Sequence, residues 1–408
     1  MNIVLVSSAI IPNSIGGIEV LTVLLAKAFV LLGHRVVIYT GGQNIVRMEE
    51  GVEIHEIPEL QLHQQLKSFL MPYYAYRLQK RLAQEAHIQH ADIINAVDLD
   101  SIVALARWDR VASVFIATVQ DYGLICANGL LLYGNSVCPV FCHHQQGFAC
   151  LKKRKISIGQ KLYLEIAYRI RKRYRDKTIQ HLTDVICVSE FVAKQIKKIS
   201  PDIHIDVIGN CLPNSWIYQK AAPDVKKDID VLYAGRLESF KGVEVFIHAL
   251  KKLPASHPRV VYAIGGGKVG YYQKIVASMH LPHEIHFLHA IPFEQMKHYY
   301  QRSIVVVVPS VWPEPCGRVI IEGMFWKCVV VSTSRGGTPE LIKQQNGFLV
   351  SPGNSTELAA VIHRVLQHPE MAKTIAMRAH RQAKKIYTQK HIAEQYIKVY
   401  RRRLKKTS

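Results

Sequence analysis

The chain has 408 residues, more than one hydrophobic core usually spans, so at least two domains are expected. Apolar residues make up 49% and charged residues 20%, a balance that excludes a disordered or low-complexity chain. Fifty-two Lys and Arg against 31 Asp and Glu give a formal net charge of +21, a field suited to anionic partners such as a membrane leaflet, nucleic acid or a phosphorylated substrate.

The predicted elements begin with a short apolar strand, Ile3 to Val6, and a Gly16-Gly17 turn. A helix then buries Val20, Leu21, Leu24, Leu25, Ala28 and Leu32, and Gly33 stops it where a C-cap is expected. The start lacks the charged n-region and cleavage site of an export signal, and no apolar run approaches the roughly 20 residues that span a bilayer, so a cytoplasmic location is expected. Further strands fit Val36 to Tyr39, Ile93 to Ala96, Val114 to Val119, Val185 to Val188 and Ile203 to Ile208, with helical segments between them. From Cys211 to Asp230 the pattern loosens into a linker. A second series follows at Val231 to Ala234, Val260 to Ile264, Ile285 to Leu288, Ile304 to Val308, Val329 to Val331 and Phe348 to Val350. Strands alternating with helices imply α/β architecture: two Rossmann-like, doubly wound domains whose strand ends face a cleft. The expected division is 1–212 and 213–385, with the basic segment 386–408 a candidate to pack back on the first domain.

Two stretches concentrate positive charge. One runs from Lys152 to Lys177, where Leu162, Leu164, Ile166, Ile170 and Tyr174 recur at helical spacing among the cations. That mixture suits a helix lying on an anionic membrane surface. The other is the tail Arg401, Arg402, Arg403, Lys405 and Lys406, which reads as a solvated, frayed end. No aromatic-interleaved basic stripe or nucleic-acid motif accompanies the charge, so no nucleic-acid partner is expected.

The residues suited to chemistry follow strands of the second series. Gly235-Arg236-Leu237 and Lys241-Gly242 put two cations and flexible backbone on a strand-to-helix loop, where they can neutralise a diphosphate. A solvated loop would use the same residues. Gly265-Gly266-Gly267 serves any tight turn and lacks the dinucleotide spacing. The informative stretch is Pro309-Ser310-Val311-Trp312-Pro313-Glu314-Pro315-Cys316-Gly317-Arg318. Two prolines fix the loop around Glu314, Gly317 opens a helix toward a phosphate or sugar hydroxyl, and Glu322 follows in that helix. Carboxylates accept hydrogen bonds from sugar hydroxyls.

These motifs, in order with Gly336-Gly337-Thr338-Pro339-Glu340 and Gly347-Phe348-Leu349-Val350, resemble the C-terminal domain of family 4 glycosyltransferases of the GT-B fold. Glu314 and Glu322 match that family's E-x7-E motif, and Gly16-Gly17, Gly33-His34 and Ser189-Glu190 resemble its N-terminal half. The resemblance implies retaining transfer of a hexosyl unit from a nucleotide diphosphate sugar, with no required cofactor or metal. By resemblance Arg236 and Lys241 hold the diphosphate, and Glu314 with the backbone of Gly235, Gly317 and Arg318 holds sugar and phosphate. Glu322 binds the ribose, and Gly16 and Gly17 close the phosphate loop from the other domain. A lipid-linked or polysaccharide (glycan or glycolipid) acceptor at the inner membrane face is the expected partner. A nucleotide-sugar epimerase of the same fold and a noncatalytic sugar-binding relative are the alternatives.

One departure stands out. The family often carries a His where this chain has Gln120, before Asp121-Tyr122. Gln cannot take a proton, so Asp121 becomes the candidate catalytic group of that segment. Asp98-Leu99-Asp100 and Asp228-Ile229-Asp230 spell D-x-D but fit a helix start and a strand edge. Cys126, Cys138, Cys142 and Cys150 share one loop and could hold a structural zinc, although they lack paired C-x2-C knuckles; free thiols are the default.

Overall fold

The structure is a computed structural model that describes residues 1–10, 17–60, 67–108, 113–126, 129–133, 136–138, 158–218, 225–257, 260–343 and 345–407. The chain divides into two compact units, Met1–Cys211 with Gln389–Ser408, and Leu212–Thr388.

The first unit carries β1 (Asn2–Ser7), β2 (Arg35–Gly41), β3 (Val46–Glu49), β4 (Val52–Ile57), β5 (Ile93–Ala96), β6 (Val114–Val119), the short hairpin β7 (Leu132–Tyr133) and β8 (Ser136–Val137), β9 (Asp184–Cys187) and β10 (His204–Val207). Among the described residues eight of them form one sheet in the order β10-β9-β6-β5-β1-β2-β4-β3. All pairings in it are parallel except β3 with β4. Burial on both faces explains the near-continuous apolar runs of β1, β2 and β6. The pair β3–β4 went unread in the sequence. Charged residues interleave in Val46-Arg47-Met48-Glu49 and Val52-Glu53-Ile54-His55, because these strands lie at the sheet's end, where one side stays exposed.

The second unit carries β11 (Ile229–Ala234), β12 (Val260–Ile264), β13 (Glu284–Leu288), β14 (Ser303–Val308), β15 (Val329–Thr333) and β16 (Phe348–Val350). They form an all-parallel sheet ordered β13-β12-β11-β14-β15-β16. Renumbered from β11, that order is 3-2-1-4-5-6, the doubly wound arrangement that binds nucleotides. One core layer joins Val231, Tyr233, Phe246 and Ile362; the other joins Leu232, Ile321, Met324 and Trp216. Trp216 lies in the segment read as a linker, yet it is buried and stacks on Phe293 at a centroid distance of 4.9 Å.

The C-terminal tail is not frayed. Gln389–Thr407 is a helix of the first unit. Tyr400 accepts a hydrogen bond from buried Asn95 at 2.7 Å, and Gln389 donates to the Leu24 carbonyl at 2.7 Å. Arg403, counted as a solvated cation in the sequence, is buried and lies 2.9 Å from Asp184. Its stem packs while its head is neutralised, a combination that charge counting cannot show. Among the described residues no helix is long and apolar enough to cross a membrane.

Candidate active site

In the second unit the chain runs outward from β11 through β12 to β13, then returns to lay β14 on the other side of β11. The loops leaving β11 and β14 diverge at this reversal, the place where open α/β sheets bind ligands. The first loop holds Gly235, Arg236, Lys241 and Gly242; the second holds Ser310, Trp312, Glu314 and Gly317.

Backbone contacts knit the two loops together. The amides of Val311 and Trp312 donate to the Phe240 carbonyl at 2.9 and 3.1 Å. Gly242 has φ of +75°, and a Cβ there would sit 1.8 Å from the Pro309 carbonyl oxygen. Only glycine permits that approach. The loop after β15 joins from the other side, since Gly337 N–H donates to the Glu314 carbonyl at 2.7 Å and Gly336, at φ +72°, bridges Glu314. The run Gly265-Gly266-Gly267 also meets the first loop, since Leu237 bridges Gly267.

At the centre of these loops Lys241 Nζ lies 2.7 Å from Glu314 Oε1 and 4.5 Å from the centroid of the Trp312 ring. The hydroxyl of Ser310 donates to the same carboxylate oxygen at 2.5 Å. Burial by itself would raise the Glu314 pKa; the Lys241 charge, with hydrogen bonds from Lys241, Ser310 and Trp312, outweighs it and holds the carboxyl below its ordinary range. Glu314 is therefore an ionised, acceptor-only group at neutral pH. The prolines flanking it are buried, so the loop is fixed from both sides.

Gly317 caps the helix Arg318–Phe325 at the carboxyl edge of β14 and supplies no side-chain hydrogen bond to its first turn. One turn in, Glu322 is buried, with Oε1 taking a hydrogen bond from Arg318 at 2.9 Å and Oε2 one from Tyr300 at 2.7 Å. Burial, and then the neighbouring Glu322 charge, push the Tyr300 hydroxyl well up, so it stays a donor. Arg318 also lies over the Phe293 ring at 4.7 Å. Arg236 is exposed at the tip of the first loop, over the Phe240 ring at 5.2 Å. The sequence had not singled out Ser310, Trp312, Tyr300 or Arg335, which donates to the Val311 carbonyl at 2.5 Å. The first two lie inside the quoted motif, whereas nothing local marks Tyr300 or Arg335.

The remaining candidates belong to the first unit. Gly17 starts the helix Gly17–Leu31; Gly16 lies outside the described residues. Gln120 and Asp121 follow the carboxyl end of β6, both half-buried. Asp121 accepts the Gly123 amide at 2.8 Å. Burial first, then the charges of Asp98 and Asp100, raise its pKa despite that bond. Asp98 caps the helix Leu99–Leu105 through Ser101 and takes a hydrogen bond from Ser7 at 3.0 Å. In the second D-x-D, Asp228 pairs with Arg302 at 2.8 Å through both oxygens and Asp230 accepts the Val260 amide at 3.1 Å. These are structural duties. Cys126 and Cys138 flank the β7–β8 hairpin, while Cys142 and Cys150 lie outside the described residues.

Two family models cover almost the whole chain: Glycosyltransferase Family 4 matches residues 15–214, and Glycosyl transferases group 1 matches residues 214–382. A glycosyltransferase of Methanocaldococcus jannaschii without an assigned activity is 30% identical over 233 residues, 53% of this chain and 59% of its own length. The matched region spans between 59% and 66% of three such relatives. Among solved structures, sucrose-phosphate synthase from Thermosynechococcus elongatus superposes with a TM-score of 0.72 at 19% identity, covering 98% of each chain. HepE of Anabaena, solved with UDP and glucose, superposes with a TM-score of 0.66 at 20% identity, covering 97% of this chain and 98% of that one. The chain is a glycosyltransferase of the GT-B fold, related to both matched families.

Proposed function

We propose that the chain transfers a hexosyl unit from a nucleotide diphosphate sugar, with retention, to a lipid-linked or polysaccharide acceptor at the inner face of an anionic membrane. The observation that carries the donor half is the Lys241–Glu314 pair set at the strand-order reversal beside a helix start that has no side-chain cap. A departing nucleoside diphosphate needs cations and N–H donors in place before charge develops, and a preorganised site supplies them without reorganising. Arg236 and Lys241 take that role, Gly235, Gly317 and Arg318 line the phosphate and sugar, Glu314 accepts sugar hydroxyls, and Glu322 receives the ribose. Gly16 and Gly17 are the first-unit residues that this reading assigns to the donor. HepE, with UDP and glucose bound, supports a nucleotide-linked hexose as donor.

No cofactor takes part in this reading. Asp121, whose pKa burial and its acidic neighbours raise, is the first-unit group that this reading assigns to proton exchange with the acceptor. The membrane half rests on the helix Ile158–His181, which exposes Leu162 and Ile166 beside the cations Arg169 and Arg173. It lies next to the helix Lys67–Leu82, which exposes Tyr73 and Tyr76. The deciding experiment measures donor hydrolysis and transfer to lipid-linked sugars in the wild type and in Lys241→Ala and Glu314→Ala. Undiminished turnover in both variants would sink the site assignment. Interconversion of donor epimers without transfer would favour the epimerase.

A further inference from the structure

A second cluster of chemically capable side chains lies in the first unit, apart from every residue assigned to the transfer reaction. Glu53 and His55 stand two residues apart on β4, so their side chains leave the same face of the sheet. His87 reaches them from the single turn Ala86–Gln89 that precedes β5. Nε2 of His55 lies 2.7 Å from Glu53 Oε1, and Nε2 of His87 lies 3.0 Å from the same oxygen. The three ligand-capable atoms fall within 4.8 Å of one another, and the two imidazoles meet edge to face with centroids 5.3 Å apart.

We propose that His55, His87 and Glu53 form a binding site for a divalent transition-metal ion of the zinc class. Two bonds of about 2.0–2.1 Å at a tetrahedral angle hold their donor atoms about 3.3 Å apart, close to the separations already present. Two imidazole nitrogens and one carboxylate oxygen are the donor set that such an ion selects over magnesium or calcium.

The surroundings carry the argument past a carboxylate that merely accepts two imidazole hydrogens. Behind His55, Nδ1 faces Glu85 Oε2 at 3.9 Å, and that oxygen also accepts the Tyr39 hydroxyl at 3.1 Å while Arg81 pairs with the other. At that distance Glu85 makes no hydrogen bond to the ring, but its charge behind the far nitrogen favours a positive centre on the near one. The Tyr39 ring, 4.9 Å from His55, holds the imidazole from the side. Arg35 Nη2 stands 3.9 Å from the second oxygen of Glu53, which leaves Oε1 as the ligand atom.

Position separates this site from the transfer reaction. Glu53 and His55 fall in the first four residues of β4, and His87 precedes β5, so the cluster lies toward the amino ends of the strands. Ligands of open α/β sheets gather at the carboxyl ends. The ion thus ties the strand next to the end of the sheet to the turn before β5, as a structural cross-link with a fourth position for water.

The test uses the full chain, stripped with chelator and titrated with zinc chloride by calorimetry, with cobalt(II) absorption in parallel. The wild type is expected to bind one more zinc than His55→Ala or His87→Ala, each of which loses affinity by at least about 100-fold. Glu85→Gln is expected to weaken zinc binding by less than the roughly 10- to 100-fold of a hydrogen-bonded partner. Zinc should raise the wild-type Tm and leave that of His87→Gln unchanged; this variant keeps a donor to Glu53 without an imidazole. Unchanged zinc stoichiometry and affinity in His55→Ala and His87→Gln would overturn the proposal. So would cobalt spectra composed only of thiolate charge-transfer bands, which place the ion on cysteines.

Discussion

Lys241 and Glu314 are joined across the reversal of strand order: the cation follows β11, the carboxylate follows β14, and their charged atoms are 2.7 Å apart. Each residue holds the other ready, but the carboxylate is the more buried partner, with a side-chain exposure of 8% against 20% for the lysine. Loss of the lysine therefore strands a buried charge, whereas loss of the carboxylate leaves a lysine that can turn toward water.

Lys241→Met is expected to abolish transfer and to cost at least about 1.5–3 kcal/mol at pH 7, the range for hydrogen bonds to charged groups. The sign of its pH dependence is specific. In the wild type the Glu314 pKa lies below its ordinary 4.5, so the stabilisation is present above that value and fades as pH falls through the lowered pKa. In the variant the Lys241 charge and bond are gone and only Ser310 and Trp312 oppose burial, so the pKa moves upward and acidification relieves part of the penalty. Urea unfolding at pH 7 and pH 4.5 should show the gap between the two proteins narrowing in acid; a widening gap would contradict the pairing.

Tyr300→Phe removes the donor to Glu322 Oε2 with almost no change in shape. It should destabilise by about 1–2 kcal/mol, the cost of a buried acceptor left short of a partner. If Glu322 receives the ribose, donor KM rises while kcat changes little. An unaltered KM alongside reduced stability would confine Glu322 to a packing role.

Gly242→Ala and Gly33→Ala both place a side chain at positive φ, +75° and +80°. Around Gly33 nothing lies within 4 Å of the added carbon, so that variant should lose only about 1–2 kcal/mol. At Gly242 the new carbon meets the Pro309 oxygen, and the two loops must part. Its loss should exceed that of Gly33→Ala by about 1–3 kcal/mol, with donor binding reduced as well. Equal thermal shifts would show that the loops tolerate separation.

Leu162 and Ile166 are 60% and 42% exposed, so replacing both with Ser should leave stability within about 0.5 kcal/mol. Flotation with anionic vesicles is expected to fall several-fold in this variant and in Arg169→Glu, and to weaken with salt. Equal binding to neutral and anionic vesicles would argue against the membrane half of the proposal.

Much of this was legible in the sequence, for identifiable reasons. Strands buried on both faces, such as β6 and β12, appear as apolar runs and were placed to the residue. The glycines and prolines around Glu314 marked the second loop because such backbones need those residue types. What stayed hidden depends on distance along the chain. Tyr300 meets Glu322 across 22 residues, and His87 meets Glu53 across 34. No local periodicity signals a partner that far away. Arg403 shows the reverse error, a residue whose type promised solvent and whose partners took it inside.

The return of Gln389–Thr407 to the first unit has a consequence for synthesis. Leu212 and Thr388 bridge each other, with the Leu212 amide donating to Tyr387 at 2.7 Å, so the second unit is a continuous insertion that leaves its sheet where it began. On a ribosome it is complete before the first unit is. Asn95 meets Tyr400 across 305 residues, and Phe29 packs on Tyr396 and Tyr400, so the first unit must wait for residues made after the second. Domains usually mature in the order they emerge. Here the inserted half is set to fold ahead of its host, and a chain stalled within Gln389–Thr407 would display a finished second unit on an open first sheet.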